Sequence, residues 1–330
     1  MTVGGDTAQQ RVTSAALSFA AGGLLTQLGL LRERRWYGQG VAVAIVDDGI
    51  YRDSVQTKLR AAPLMDHGAY PLCDVEHSRV SGLVEPFSRT RRSHGSMCAY
   101  DACLAAPGCT LLDLPVLAPR PVGARRIDHI LAAYRRLVEL LQAGVFRHIV
   151  VVNAWQTLGG DEHQGLPPDD PGHPLFRALS ELDAARADVL FAAPDHHAKR
   201  IHGPALHPQV LTVTAMNLDG TPFETSVERV HGDGSSKPDA SNYQGFVGYE
   251  LFRNQPDYGT SAATALTAGV LAALRSSPRA RAKSPAELRD LFRRSARQLG
   301  TSPRPEWAEP GRAPFTEPGI VDVEQVLNWL

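Results

Sequence analysis

Three widely separated residues have the types and settings that suit nucleophilic catalysis: Asp47, His94 and Ser261. Asp47 closes the apolar run of AIVDDGI, residues 44–50. In open α/β sheets, functional groups gather at the carboxyl ends of strands. Alone, a strand followed by Asp-Asp-Gly equally describes a turn or a metal loop. His94 heads SHGSMCAY, residues 93–100, just ahead of a helical pattern. Alone, such a histidine reads as a cap or a surface residue. Ser261 lies in YGTSAATALTAGVLA, residues 258–272, after Gly-Thr and before a helix of small residues. A hydroxyl there is commonly a cap. The same place also offers backbone N–H groups and a positive dipole end to a developing oxyanion. Together, in the order Asp, His, Ser, the three form a known chain order for an activated serine. In that chemistry the hydroxyl attacks a carbonyl, the imidazole takes and returns its proton, and the carboxylate orients the imidazole.

Such groups need a rigid frame, and the apolar pattern supplies one. Continuous apolar runs at 41–46, 148–153, 189–193 and 210–215 predict strands buried on both faces. Helical spacing marks 127–143, 175–186, 258–276 and 284–299, the last opening on Ser-Pro, an N-cap with a first-turn proline. Leu24, Leu25, Leu28 and Leu31 predict an amphipathic N-terminal helix. Stretches 51–93, 157–173, 217–257 and 301–318 are rich in Gly, Pro, Asp and Ser and read as irregular. Strands alternating with helices predict an α/β fold with a mostly parallel sheet covered on both faces. No linker or internal repeat divides the chain, so one domain is expected over 1–330, with 1–35 as its N-terminal helical segment.

Composition narrows the function classes. The chain has 330 residues, 43% hydrophobic and 21% charged, which excludes a disordered chain and a small disulfide scaffold. A formal net charge of -1 argues against a general nucleic-acid binder. No apolar run reaches the ~20 residues of a membrane span. The first ten residues hold Asp6 and neither Lys nor Arg, so no secretion signal is expected. Cys73, Cys98, Cys103 and Cys109 form no CxxC, and they read as reduced thiols in a cytoplasmic protein. Four lysines against 30 arginines suggest a GC-rich bacterial genome.

At the three segments the sequence resembles the subtilase (subtilisin-like) family of serine peptidases. GQGVAVAIVDDGI (38–50) is similar to the family's V-A-V-I-D-[ST]-G-[IV], and SHGSMCA (93–99) to its H-G-T-x-x-A. GTSAATALTAG (259–269) is similar to its G-T-S-[MF]-A-x-P-x-[VA]-A-G. Lys237-Pro238-Asp239, HPQVLTVTA (207–215) and Gly319-Ile320-Val321-Asp322 resemble further family segments. The resemblance runs from about residue 15 to 330. It implies a three-layer subtilisin-like fold and a serine protease: a hydrolase performing proteolysis through a catalytic triad of Asp47, His94 and Ser261. It also implies that Asn153, Ala154 and Trp155 line the substrate, and that Ala192, Ala193 and Pro194 floor a specificity pocket.

The chain departs from the pattern at several places. The family's oxyanion Asn is replaced by Asp195, which donates a hydrogen bond only when protonated. His196 and His197 stand beside it as compensating donors or counter-ions. Ala265 replaces the usual Pro after the serine, which is expected to loosen the helix start. The helical pattern after His94 runs on without the family's calcium loop, and Gln56 lies near where a calcium-binding Asp belongs. No metal and no cofactor are therefore expected. Only 46 residues precede Asp47, so a chain without a propeptide is expected, with a partner protein in its place. The expected partner is otherwise a peptide or protein substrate, with neither nucleic acid nor membrane. Alternatives are a catalytically weak or inactive peptide-binding scaffold, or a peptide ligase or cyclase.

Overall fold

A computed structural model describes residues 22–61, 74–76, 93–117, 123–157, 160–194, 201–221, 223, 229–230, 236–252, 255–297 and 318–330. Seven strands among them form one sheet: β1 (Ala42–Asp47), β2 (Asp74–Glu76), β3 (Thr110–Pro115), β4 (Ile149–Asn153), β5 (Asp188–Ala192), β6 (Leu211–Asn217) and β7 (Ala240–Gln244). Their order is β2-β3-β1-β4-β5-β6-β7, and every pairing is parallel.

Successive side chains of a strand point to opposite faces, and here the two faces feed two cores. Val43, Ile45, Val150 and Val152 join one cluster. Ala42, Ala44, Val46, Ile149 and Val151 join the other. The first face is covered by α1 (Gly22–Glu33), α2 (Arg52–Ala61), α3 (His94–Ala105) and α6 (Gly259–Arg275). The second is covered by α4 (Gly123–Gln142) and α5 (Pro174–Ala184). Helix α7 (Pro285–Ser295) opens with a capping box between Ser284 and Glu287, and α8 (Val323–Trp329) is capped by Asp322. The three-layer α/β arrangement expected from the resemblance is the fold observed. Among the described residues no helix is long and apolar enough to cross a membrane.

Helices α3 and α6 cross at Gly269, where an added Cβ would sit 2.1 Å from the Ala102 carbonyl oxygen. The crossing lies about two turns beyond His94 on α3 and about two turns beyond Ser261 on α6. The Lys237-Pro238-Asp239 motif proves structural. The Lys237 ammonium meets Asp239 at 2.5 Å and Val210 O at 2.7 Å, and Asp239 also accepts from Thr212 N and Arg293. It thus ties the start of β7 to β6 and α7. Ala265 is fully buried, and α6 runs through it unbroken, so no loosened helix start is observed.

The cysteine reading needs a correction. Cys98 and Cys109 are free and buried, but Cys103 is disulfide-bonded to a partner outside the described residues.

Candidate active site

The carboxyl end of β1 carries Asp47, almost fully buried at 2% exposure. Its carboxylate faces the imidazole at the head of α3, with His94 Nδ1 2.9 Å from Oδ2 and 3.0 Å from Oδ1. The Asp48 N–H donates to the same carboxylate at 2.8 Å. This close approach explains the His-Gly pair. An added Cβ on Gly95 would meet Gly49 O at 2.7 Å and the Asp47 Cβ at 3.2 Å. Gly49 itself has φ +110°, a conformation that favours glycine.

Burial opposes charge on His94, but the Asp47 carboxylate outweighs it and raises the imidazole well above its ordinary value. Cys98 lies one turn further along α3, its Sγ 3.9 Å from His94 Nδ1. Burial pushes that thiol up to about 11, so it stays protonated at neutral pH. Asp47, His94 and Cys98 offer ligand atoms within 4.8 Å of one another. Nδ1 of His94 is already engaged by Asp47, so a metal there would displace the contact that orients the imidazole.

Asp48 follows immediately. Its carboxylate accepts from Gly95 N at 2.7 Å and from His94 N at 3.1 Å. Burial, then the charge of Asp47, raises Asp48 to about 6.

Ser261 arrives from the other side of the sheet's centre. Gly259 begins α6 with φ +83°, and Ser261 is the third residue of the helix. Backbone N–H groups in a first turn have no partner within the helix, so the Ser261 N–H is an available oxyanion donor. The Ser261 hydroxyl donates to Ala154 O at 3.2 Å. That contact places the chain just after β4 beside the hydroxyl.

A pocket has Trp155, Thr157, Phe191, Ala192, Pro194 and His202 among its walls. The Trp155 and Phe191 rings meet edge to face at 5.2 Å. Behind the wall, the Arg126 guanidinium lies 5.3 Å from the Trp155 ring centroid. Arg126 also donates to Gln156 O at 2.8 Å and to Asp161 at 2.5 Å. One buried cation thus engages Trp155, Gln156 and Asp161.

The structure therefore brings together Asp47 and His94, joins Ser261 to Ala154, and sets Trp155, Ala192 and Pro194 on one cavity. Two expected lining residues belong to the core instead. Asn153 is fully buried, accepting from Tyr134 Oη at 2.7 Å and donating to Leu190 O at 3.1 Å. Ala193 is fully buried, its N–H bonded to Val213 O at 2.8 Å. Asp195, His196 and His197 lie outside the described residues. Sequence reasoning missed Arg126, Asp161 and His202, which no local motif marks. It noted the Asp-Asp pair without finding a use for Asp48.

The sequence model described as "Subtilase family" matches residues 150–309, which bears out the resemblance drawn from the motifs. No curated protein matches. Among solved structures, one titled MycP1 from the ESX-1 type VII secretion system has a TM-score of 0.61 at 18% identity, covering 94% of this chain and 86% of its own. The prenylagaramide maturation protease PagA has a TM-score of 0.58 at 18% identity, covering 91% and 97%. The self-cleaved protease domain of PatA has a TM-score of 0.52 at 19% identity, covering 88% and 96%. At these identities the likeness shows the fold.

Proposed function

We propose that this chain, whose residues 150–309 match the subtilase family, is a serine endopeptidase working through Asp47, His94 and Ser261. The observation that carries the reading is the Asp47–His94 contact at the end of β1, on the same sheet whose next strand presents Ala154 O to the Ser261 hydroxyl. The hydroxyl turns from Ala154 O to His94 Nε2 and attacks the substrate carbonyl as its proton passes to the imidazole. The negative charge that develops on the carbonyl oxygen meets the Ser261 N–H. Collapse breaks the C–N bond, and His94 returns the proton to the leaving amine. Water then repeats the sequence on the acyl-enzyme, releasing the acid and restoring the hydroxyl. Asp195 is assigned as the second oxyanion donor in its protonated form.

The substrate is a peptide or protein chain whose side chain beside the cut enters the cavity walled by Trp155, Phe191, Ala192 and Pro194. Similar folds include a maturation protease and a protein of a secretion system, which favours one dedicated substrate over general digestion. The single-domain organisation belongs to the same reading. A cytoplasmic setting loses support at Cys103, because structural disulfides persist in oxidising compartments.

Labelling with a fluorophosphonate at neutral pH tests the proposal. Covalent modification of the folded chain that disappears in Ser261→Ala is expected. A folded wild type that takes no label would remove the triad reading and leave a peptide-binding scaffold.

A further inference from the structure

We propose that Asp48 is a positioning residue for the catalytic histidine, its carboxylate tying the first turn of α3 to the end of β1. The inference rests on the triad reading above and adds a residue to it. Consecutive carboxylates grip the two ends of one residue: Asp47 holds the His94 ring, and Asp48 holds the His94 and Gly95 backbone N–H groups. The Asp48 N–H in turn donates to Asp47 Oδ1 at 2.8 Å, so the two grips are linked. The resembling pattern V-A-V-I-D-[ST]-G-[IV] carries a hydroxyl residue here. A carboxylate reaches two successive N–H donors at once, and each of these bonds is charge-assisted. The negative charge also sits at the positive end of α3.

This arrangement has a cost that makes it detectable. Asp47 on β1 opposes the Asp48 charge, while a protonated His94 on α3 favours it. Cys98, also on α3, is a neutral thiol. Asp113 on β3 is the next acid, and it accepts from Ile50 N at 3.1 Å. Burial and Asp47 bring Asp48 to about 6, within the range where an enzyme with a histidine base is assayed. His94, held well above its ordinary value, takes up its proton first as pH falls, and the backbone grip weakens when Asp48 takes up a proton near 6. The acid limb of activity therefore involves two coupled protons instead of one.

The test has two parts. Rates of fluorophosphonate labelling are measured across the acid limb for wild type and Asp48→Asn, with melting temperatures at each pH. Wild type is expected to lose rate with a slope steeper than one around pH 6, and Asp48→Asn with a slope of about one throughout. At alkaline pH the variant is expected about tenfold slower. A merely structural role would lower the melting temperature and scale the rate without changing the limb, and that result overturns the proposal. The second part needs no activity. The His94 and Gly95 amide resonances of Ser261→Ala protein are expected to titrate near pH 6 and to stop doing so when Asp48→Asn is added. Flat amide resonances in Ser261→Ala protein alone refute the backbone grip. A wild type that fails to label while these amides titrate refutes the triad reading instead.

Discussion

Gly269→Ala offers a direct probe of the frame that holds base and nucleophile together. The new Cβ would lie 2.1 Å from Ala102 O and 2.9 Å from Ala102 C, where ordinary contact begins at 3.4 Å. Both obstructing atoms are backbone, so α3 and α6 must part by about 1.3 Å, the difference between 3.4 and 2.1 Å. Overpacking of this kind costs about 3 kcal/mol. The gain from replacing a helical glycine by alanine returns about 1 kcal/mol. The net loss is about 2 kcal/mol, a fall in melting temperature of roughly 3 °C at this chain length. The protein stays folded, but α3 carries His94 and α6 carries Ser261. A displacement of about 1 Å between reacting groups costs about 10²-fold in rate. Labelling by fluorophosphonate at 20 °C, normalised to folded protein, is therefore expected to fall about 10²-fold while circular dichroism is unchanged. Gly29→Ala on α1 is the control, since nothing lies within 4 Å of its Cβ. A Gly269→Ala protein that melts and labels like wild type would refute the argument that this crossing sets the site.

Two other expectations follow from buried groups. Asp101, fully buried on α3, abuts Asp257 at Gly248, and burial first, then that carboxylate, raises it well above 3.8. Its stabilising contribution is full below the unfolded value of 3.8 and declines as pH rises towards the folded value. Asp101→Asn removes this decline, so its melting temperature should gain on wild type from pH 4 to 8; parallel curves would show that Asp101 is ionised in the fold. The Cys103 disulfide predicts that alkylation of the denatured, unreduced chain taken from its native cells leaves two cysteines blocked. Four alkylated cysteines would place the chain in a reducing compartment.

The parts legible in the sequence are those where pattern and burial coincide. β1 and β4 are apolar up to their closing Asp47 and Asn153 and lie between neighbouring strands, and α6 is built of small residues that let it pack nearly all round. The elements missed are those whose apolar content is low. β7 reads ASNYQ, yet all five residues are buried. Its polar groups are satisfied by distant partners, as when Asn242 donates to Thr267 Oγ1 at 3.0 Å. α2 buries only Val55 and Leu59 and otherwise looks like a charged loop. β3 carries Asp113 inside an apolar run, a residue that local pattern rejects and that Ile50 N explains. The Asp47–His94 pair was legible because each member sits in a glycine-marked segment. Arg126 and Asp161 were not, because their pairing spans 35 positions and joins a helix to a loop.

The strand order has a consequence for how the molecule is made. β1 lies between β3 and β4, so residues before about 117 supply the acid and the base, and residues after 148 supply the cavity and the nucleophile. During synthesis the chain emerges with Asp47 and His94 first and Ser261 last. Until α6 leaves the ribosome and docks on α3, no serine stands beside the base. On the proposed triad the nascent protein is thus inert for most of its synthesis, and the order of the three residues along the chain alone provides that delay.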